Sequence, residues 1–373
     1  MSFPRGAWAE VDLGAITRNV RALKALTPAA TRFMAVVKAD GYGHGAVRVA
    51  EAALAGGADR LGVATLEEAV VLREAGVTAP LHVLAEVPSE GAPLVVRHGI
   101  IATVASAEAA VALSRAAMLA QGQAVCHLKI DTGMNRIGVR AEDAAALARR
   151  LNDLPGLVLE GAFTHFATAD VPGDWEFDRQ VTRLDSAIDA MRTEGVRPAI
   201  VHAANSAATI LHPGTHLDMV RCGIAIYGLH PSEATAPRLA LEPAMSVKAR
   251  VSFVKQVGLG DGVSYGFTWH ADGPATIATL PLGYADGVHR VLSNAMPVLI
   301  GGRRCRQVGR VCMDQLMAQV PAGVAVNPGD EAVLVGSQGG EHISMDELSV
   351  LAGTINYEMA CGFALRLERR FRA

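Results

Sequence analysis

The sequence predicts an α/β fold with an N-terminal (β/α)8 TIM-type barrel and a C-terminal mainly-β domain. Three features predict it: short apolar runs recur, Ala-rich segments of helical period separate them, and the composition changes after about Ala240. The apolar runs lie near residues 33–37, 60–64, 81–85, 100–104, 125–130, 158–163, 200–203 and 217–221. Eight strands that alternate with helices over about 220 residues are typical of a parallel barrel.

The helical segments between these runs include residues 44–56, 66–75, 106–120 and 141–151. Ser106 and the pair Glu67 and Glu68 stand at the start of two of them. Because capping side chains and acidic groups favour the first turn of a helix, we expect helix N-termini there.

From about Ala240 the content of Val, Gly and Thr rises and turn sequences such as GLGDG and NPGD become frequent, which predicts strands. One helical pattern, SMDELSVLAG, interrupts them, and Ser344 with Glu347 predicts a capping box. We therefore place the barrel at residues 1–238 and the β domain at residues 239–373.

The composition indicates a globular protein with a large core. Half of the 373 residues are apolar, 19% are charged and the net charge is -3, which does not favour a nucleic-acid surface. The start of the chain lacks an apolar leader and no stretch reaches the ~18 residues of a membrane helix, so we expect a cytoplasmic protein. The five cysteines are scattered and never form C-x-x-C, which favours reduced thiols.

Polar residues follow the ends of the predicted strands, where barrels place active sites. Lys38 ends the first run and precedes a glycine-rich loop, an arrangement that suits covalent capture of a carbonyl cofactor, although a snorkelling surface lysine is the alternative. The other strand-end residues are Lys129, Asp131, Thr164, His165, Asn205, Ser206 and Arg221. Gly223 and Ile224 follow at a turn of the kind that binds phosphate. A lysine facing a phosphate-binding turn predicts pyridoxal phosphate.

Eight motifs in order resemble those of bacterial alanine racemases, and the resemblance runs from residue 8 to residue 362. They are AVVKADGYGHGA (35–46), LKIDTGMNRIGV (128–139), THFATAD (164–170), NSAA (205–208), RCGIAIYGLHPS (221–232), VSYGFTW (263–269), PLGYADG (281–287) and GRVCMDQ (309–315). The resemblance implies a pyridoxal 5'-phosphate enzyme that racemises alanine. It also implies a homodimer in which the β domain completes the partner's active site. Supply of D-alanine for peptidoglycan and alanine catabolism are both compatible with the sequence.

The resemblance implies two bases on opposite faces of the substrate Cα, Lys38 and Tyr265, with Lys38 also holding the cofactor as a Schiff base. A phenol needs assistance to act as a base near neutral pH, because its reference pKa is ~10. The family implies a contact in which His165 accepts a hydrogen bond from Tyr265. It also implies that Arg221 faces the pyridine nitrogen and opposes its protonation. The structural alternatives are that Tyr265 is a packed aromatic, that His165 is a core histidine and that Arg221 belongs to a strand-end ion pair.

Further roles come from the same resemblance. The implied cofactor contacts are Tyr42, Asn205, Ser206, Tyr357 and the backbone of Gly223 and Ile224. Arg136 and the backbone of Met313 are implied to bind the substrate carboxylate, and Asp314 to orient neighbouring groups. Lys129 matches a lysine that is carbamylated in many relatives, with an ordinary ion pair to Asp131 as the alternative. The implied substrate access corridor is lined by Asp170, Tyr284, Arg290 and Ile355.

Three other kinds of protein match part of the pattern. A basic amino-acid decarboxylase of the same architecture benefits from a carboxylate at the pyridine nitrogen, where this chain has Arg221. A pyridoxal-phosphate homeostasis protein resembles the barrel alone. A metal-dependent hydrolase would use His212, His216 and Asp218 with a carbamylated Lys129, which leaves Lys38 without a role. We expect no metal.

Overall fold

The computed structural model describes residues 5–363 and 366–373, and they divide into two compact units. The barrel unit comprises Ala15–Gly41 and Ala46–Glu242. The β unit comprises residues 5–14, Tyr42–Gly45 and the described residues from Pro243 onward. This division lies four residues beyond the boundary drawn from sequence at residue 238, and it assigns residues 5–14 to the β unit rather than to the barrel.

Strands and helices are numbered along the chain. The strands are β1 (Ala7–Asp12), β2 (Arg32–Val36), β3 (Arg60–Val63), β4 (Leu81–Glu86), β5 (Ile101–Val104), β6 (Ala124–Asp131), β7 (Val139–Arg140), β8 (Leu157–Phe163), β9 (Ile200–His202), β10 (Met219–Cys222), β11 (Met245–Arg250), β12 (Phe253–Val257), β13 (Ala275–Leu280), β14 (Pro297–Ile300), β15 (Arg303–Gln307), β16 (Leu316–Val320), β17 (Glu331–Gln338), β18 (Glu341–Ile343) and β19 (Glu368–Arg372). The helices are α1 (Leu13–Lys24), α2 (Lys38–Tyr42), α3 (Ala46–Ala55), α4 (Leu66–Glu74), α5 (Ala92–Arg97), α6 (Ala107–Leu119), α7 (Ala144–Asp153), α8 (Trp175–Thr193), α9 (Ser206–Leu211), α10 (Met345–Ala352) and α11 (Asn356–Gly362).

The barrel unit contains the predicted parallel barrel. Its strands pair in the order β5-β4-β3-β2-β10-β9-β8-β6, and the pairing of β5 with β6 closes the ring. Each of the eight predicted apolar runs forms one of these strands. Strands β3, β5, β9 and β10 are buried along their whole length, as expected for parallel strands that are covered on both faces. The predicted fold class is confirmed.

The predicted helix starts carry the expected caps. Thr65 and Glu68 form a reciprocal capping box at α4, and the Ser106 hydroxyl accepts a hydrogen bond from Ala109 N at α6. The predicted capping box at α10 is only half formed. Ser344 Oγ accepts from Glu347 N over 2.9 Å, but the Glu347 carboxylate binds Arg304 instead, at 2.6 and 2.9 Å.

The β unit is built on a ten-stranded sheet in the order β12-β13-β16-β15-β14-β17-β11-β1-β19, with β18 paired to β17. Strand β1 pairs antiparallel with β11 and parallel with β19. Because its two partners are more than 200 residues away along the chain, no local pattern in the sequence indicates that β1 belongs to this sheet. In the described part of the chain, no helix combines the length and the apolar character that a membrane span requires.

Candidate active site

Lys38 lies directly beyond the carboxyl end of β2, at the start of a left-handed turn. The backbone φ angles of Ala39, Asp40 and Gly41 are 52°, 50° and 62°. A left-handed conformation costs a non-glycine residue about 1–2 kcal/mol, so the surrounding contacts must hold it. Ala39 N donates to Glu68 Oε1 over 2.6 Å, and the Asp40 carboxylate accepts from Ala46 N over 2.8 Å. The structure therefore fixes the backbone on which Lys38 is mounted.

Arg221, on β10, is a buried cation with an exposed fraction of 4%. Its Nη2 donates to the carbonyl oxygens of Thr164 and Ala203 at 2.8 and 2.9 Å, and its Nη1 lies 3.1 Å from His202 Nδ1. Burial lowers the pKa of the guanidinium to about 10, which still leaves it charged near neutral pH. No carboxylate neutralises Arg221 within 4.0 Å among the described residues, so the strand-end ion pair is not formed.

His165 Nδ1 lies 3.2 Å from Arg221 Nη2. A guanidinium only donates hydrogen bonds, so Nδ1 must be the acceptor and the neutral ring carries its proton on Nε2. Burial, followed by the charges of Arg221 and Lys129, holds the pKa of His165 well below its usual value. The sequence analysis expected His165 to accept a hydrogen bond from Tyr265. With Nδ1 accepting from Arg221, the remaining nitrogen of His165, Nε2, can only donate.

Lys129, on β6, is buried, and its Nζ lies 4.5 Å from the centroid of the Phe163 ring. Burial and then the charges of Arg221 and Arg136 hold its pKa well below the usual value, whereas Asp131 acts in the opposite direction. Among the described residues Lys129 forms no ion pair with Asp131, whose Oδ1 accepts instead from Gly133 N at 2.9 Å.

Lys129, Arg136 and His165 are brought together around one small cavity. They line it with Asp131, Met134 and Thr164, and its volume is about 10 Å³. Arg136 itself is exposed and follows the Asp131 turn. The Arg136 guanidinium and the Lys129 amine therefore meet beside the end of β6, with the neutral His165 ring and the Asp131 carboxylate in the same lining.

The residues predicted for phosphate binding lie at the ends of β9 and β10. The Asn205 side chain caps α9 through Ala208 N at 3.0 Å, and Ser206 Oγ accepts from Gly223 N at 3.0 Å. The Gly223 N–H therefore already has an acceptor in the Ser206 hydroxyl. The hydrogen of that hydroxyl is still able to donate to another group. Ile224 is buried at the start of the 3-10 turn Ile224–Tyr227.

The other two predicted cofactor residues lie in the β unit. The ring centroids of Tyr42 and Tyr357 are 6.3 Å apart, and Tyr42 is buried. The neighbouring Gly43 has φ +79°, and a Cβ atom there would lie 2.5 Å from Ala360 O. Only glycine fits this position without moving the α11 backbone.

Tyr265 and Met313 lie on an exposed surface of the β unit. Tyr265 is 71% exposed and Met313 is 52% exposed, and both line a depression of about 720 Å³. The preceding residue, Ser264, has φ +67° and donates from Oγ to Arg310 O over 2.6 Å, which fixes the turn that presents Tyr265. An apolar patch of this kind typically marks an interaction surface.

Asp314 lines the same depression and pairs with Arg366 at 2.6 Å. Arg366 also contacts the buried Asp286 at 2.9 Å, and Arg5 bridges both carboxylates. Asp314 therefore belongs to a network of two arginines and two acids, which is consistent with an orienting role.

The four predicted corridor residues lie in different units. Asp170 is half-buried in the barrel unit, where its carbonyl accepts from Ser232 Oγ at 3.1 Å. Tyr284 and Ile355 are exposed in the β unit, and Arg290 is exposed as well. Their role in substrate access stays a prediction.

The candidate metal ligands do not converge. His212 Nε2 donates to Ala169 O at 3.1 Å and His216 Nε2 to Thr209 O at 2.9 Å, while the Asp218 carboxylate accepts from Val201 N at 2.8 Å. Each side chain thus has a structural role of its own, which removes the basis for the hydrolase alternative.

Sequence reasoning missed a polar cluster inside the barrel. His82, His127 and His202 are fully buried, and Glu160 binds both His127 and Arg60. The available signal was one histidine within each of three largely apolar strand runs, LHVLAE, VCHLKI and IVH.

Comparison with known proteins identifies the family. The N-terminal domain of alanine racemase matches residues 11–231 and the C-terminal domain of alanine racemase matches residues 244–371. Alanine racemase from Symbiobacterium thermophilum is 49% identical over 365 residues, which cover 98% of this chain and 97% of the relative. The enzyme from Desulfovibrio desulfuricans is 46% identical, with 99% of each chain covered.

Solved structures agree with these sequence matches. The crystal structure of alanine racemase from Bacillus anthracis with bound L-Ala-P has a TM-score of 0.95 and 41% identity, and the match covers 100% of this chain and 96% of that chain. The structure from E. faecalis has a TM-score of 0.94 and 38% identity, with 100% of both chains covered. The chain therefore belongs to the alanine racemase family.

Proposed function

We propose that this chain interconverts L-alanine and D-alanine with pyridoxal 5'-phosphate attached to Lys38. The carrying observation is the position of Lys38 at the end of β2, on a rigid left-handed turn, in the same barrel as the buried Arg221 and the half-buried His165. As a member of the alanine racemase family, the chain is an isomerase.

The donor set of the barrel fits the cofactor. Lys38 supplies an amine for the aldehyde, and the Ser206 hydroxyl with the turn after β10 supplies neutral donors suited to phosphate. Nη1 and Nη2 of Arg221 make its contacts to the protein, and among the described residues Nε makes none, so this donor is available to a ring nitrogen. Asn205, Ile224 and Gly223 complete the set in this proposal, with the Gly223 N–H shared between Ser206 Oγ and the phosphate. Tyr42 and Tyr357 are proposed as further cofactor contacts.

When bound, the cofactor withdraws electron density from the substrate Cα and makes its proton more acidic. The Lys38 amine then moves that proton on one face of Cα. Arg221 is a donor that keeps its charge near neutral pH, so it opposes a second positive charge on the ring nitrogen. An unprotonated ring nitrogen withdraws electrons less strongly, which favours reversible proton transfer. A decarboxylase benefits instead from a carboxylate at this position.

The second base in this proposal is Tyr265 from another copy of the chain in a homodimer. Support comes from the exposure of Tyr265, Phe267 and Met313 on one surface of the β unit. His165 Nε2–H can donate to the phenolate oxygen that results when Tyr265 gives up its proton. Since His165 is neutral, it stabilises that oxygen without protonating it.

The substrate carboxylate is proposed to bind between Arg136 and the backbone N–H of Met313 from the second copy. Arg136 shares a cavity with Lys129, and we propose that Lys129 carries a carbamate that orients the guanidinium. The corridor residues Asp170, Tyr284, Arg290 and Ile355 would limit substrate size, and Asp314 would hold its segment in place.

A racemisation assay tests the proposed function. The purified chain with added pyridoxal 5'-phosphate is offered a panel of L-amino acids, and the D-enantiomer and released CO2 are both measured. We expect D-alanine and no CO2. Release of CO2 from a basic amino acid, or no D-alanine under conditions where cofactor is bound, would reject the proposal.

A further inference from the structure

A continuous row of hydrogen bonds crosses the interior of the barrel and ends on Arg221. Arg60 binds Glu160 at 2.6 and 2.9 Å, and Glu160 Oε2 lies 2.9 Å from His127 Nε2. His127 Nδ1 lies 2.8 Å from His202 Nε2, and His202 Nδ1 lies 3.1 Å from Arg221 Nη1. We refer to these five residues as the barrel relay.

The residues at the two ends of the barrel relay, Arg221 and Glu160, require the same direction of hydrogen-bond donation through the two histidines. Arg221 can only donate, so His202 Nδ1 accepts and the His202 proton lies on Nε2, from which it is donated to His127. The Glu160 carboxylate can only accept, so His127 carries its proton on Nε2 and its Nδ1 is free to accept. Both imidazoles are neutral in this arrangement, and burial lowers the pKa of both rings.

The barrel interior is shaped around these rings. Both histidines are fully buried, and the His202 ring stacks on Phe163 at 4.7 Å between centroids with an interplanar angle of 2°. A Cβ atom at Gly161 would lie 2.5 Å from His127 Nδ1 and 2.7 Å from Ile200 O, so glycine there makes room for the hydrogen-bonded ring. The orientation of His127 therefore has independent steric support.

The same directions argue against a metal ion, although nitrogens of His82, His127 and His202 lie within 4.8 Å of one another. A cation would need the lone pair of His202 Nε2, which holds the proton donated to His127. If that proton moved to Nδ1 of His202, two N–H donors would face each other, because Arg221 Nη1 also carries hydrogen there. The nearby guanidinium charges of Arg221 and Arg60 further disfavour a cation.

We propose that Glu160 and His127 are positioning residues for Arg221. They fix the tautomer of His202, and His202 then holds the guanidinium in one orientation at the carboxyl ends of the barrel strands. The consequence for the ring nitrogen rests on the proposed function, whereas the tautomers themselves do not.

The first test uses the wild-type holoenzyme labelled with 15N-histidine, so it does not depend on any variant that fails to fold. Side-chain NMR is expected to show His127 and His202 as neutral rings protonated at Nε2 between about pH 6 and 8. His127→Gln and His82→Leu assign the signals. A His202 ring protonated at Nδ1 or at both nitrogens would overturn the proposal, and so would stoichiometric Zn²⁺ binding that displaces these signals.

The second test compares two substitutions at one position. Glutamine at position 127 keeps one acceptor and one donor, whereas leucine keeps neither. We expect His127→Leu to lower kcat about tenfold or more with little change in KM, and to shift the pH dependence of the cofactor's visible absorption. His127→Gln should keep most of the wild-type kcat and most of the wild-type pH dependence of the absorption. Glu160→Gln removes the charge but keeps an acceptor, so it should act in the same direction to a smaller extent.

His82→Leu is the matched control, because His82 is fully buried in the same cluster but donates from Nε2 to the Thr103 hydroxyl and not into the barrel relay. We expect it to leave the absorption profile and kcat unchanged. An equal loss in His82→Leu, or an unshifted profile in His127→Leu, would overturn the proposal. D-alanine formation by the wild type is measured separately, so failure of the relay and failure of the proposed function give different results.

Discussion

Arg221 Nη2 and His165 Nδ1 are 3.2 Å apart, and this hydrogen bond determines which proton His165 can offer. A buried cation on one side of the ring leaves only Nε2–H for a second partner and keeps the ring neutral. The residue that meets His165 must therefore accept a hydrogen bond. A phenolate oxygen satisfies this requirement, which supports the proposal that Tyr265 is the second base.

Replacement of Lys38 by alanine is expected to abolish covalent attachment of the cofactor. The wild-type chain treated with pyridoxal 5'-phosphate and borohydride should gain the mass of one reduced cofactor on Lys38, because only this lysine follows the end of β2. Mass spectrometry of the digested protein checks it. Lys24→Ala is the control, since Lys24 is tied to Asp59 at 3.0 Å, beside the amino end of β3 and not a carboxyl end. An adduct of equal yield elsewhere in Lys38→Ala would reject the assignment.

Replacement of Tyr265 by phenylalanine is expected to impair proton transfer on one face of the substrate more than on the other. The phenol is lost but the ring is kept, so cofactor binding should persist. Exchange of the Cα proton with solvent deuterium, measured separately for L- and D-alanine, should become unequal, with at least about a tenfold difference for loss of a general base. Equal loss from both enantiomers would contradict a two-base division between Lys38 and Tyr265.

Local sequence patterns were sufficient for the barrel and for the position of Lys38, because strand runs, helix caps and glycines act over a few residues. They did not reveal the barrel relay, since His127 and His202 are 75 positions apart and meet only when β6, β8 and β9 pair. The left-handed conformation of Ala39 was also hidden, because alanine has no preference for it. It is imposed by Glu68, which lies 29 residues further along the chain.

A mixture of inactive Lys38→Ala and Tyr265→Ala chains is expected to regain activity. If each site combines Lys38 of one chain with Tyr265 of the other, every mixed dimer contains one intact site and one doubly altered site. Random exchange then restores about one quarter of the sites. Racemisation should rise over the time of subunit exchange, followed by native mass spectrometry with one chain isotopically labelled. Verified mixed dimers without activity would contradict a shared site.

Lys129 is expected to take up CO2. Burial and the charges of Arg221 and Arg136 lower the pKa of its amine, so a neutral nucleophile is available. The nitrogen adds to the carbon of CO2 and releases a proton, and the resulting carbamate anion offsets the two arginine charges. Incubation with 13C-bicarbonate should give a carbamate signal in 13C NMR that disappears in Lys129→Met and persists in Lys24→Met. A signal that survives in Lys129→Met would place the carbamate elsewhere.

The buried histidines are expected to make the fold sensitive to mild acid. The pKa values of His82, His127, His165 and His202 are all lowered, with burial as the first cause. Below the unfolded value of ~6.5, the unfolded chain binds protons that the folded chain does not, so stability falls as pH falls. Each histidine contributes a slope of about 1.4 kcal/mol per pH unit until its folded pKa is reached.

His82→Leu isolates one of these contributions, because His82 Nδ1 has no hydrogen-bond partner among the described residues and leucine carries no proton. Between about pH 6.5 and 5, the free energy of unfolding in urea should fall less steeply for His82→Leu than for wild type, by roughly 1.4 kcal/mol per pH unit. His270→Leu, at an exposed position of the β unit, serves as the control for the effect of replacing a histidine by leucine. Parallel curves for wild type and His82→Leu would mean that His82 is protonated in the folded chain, contrary to its burial beside His127 and Arg221.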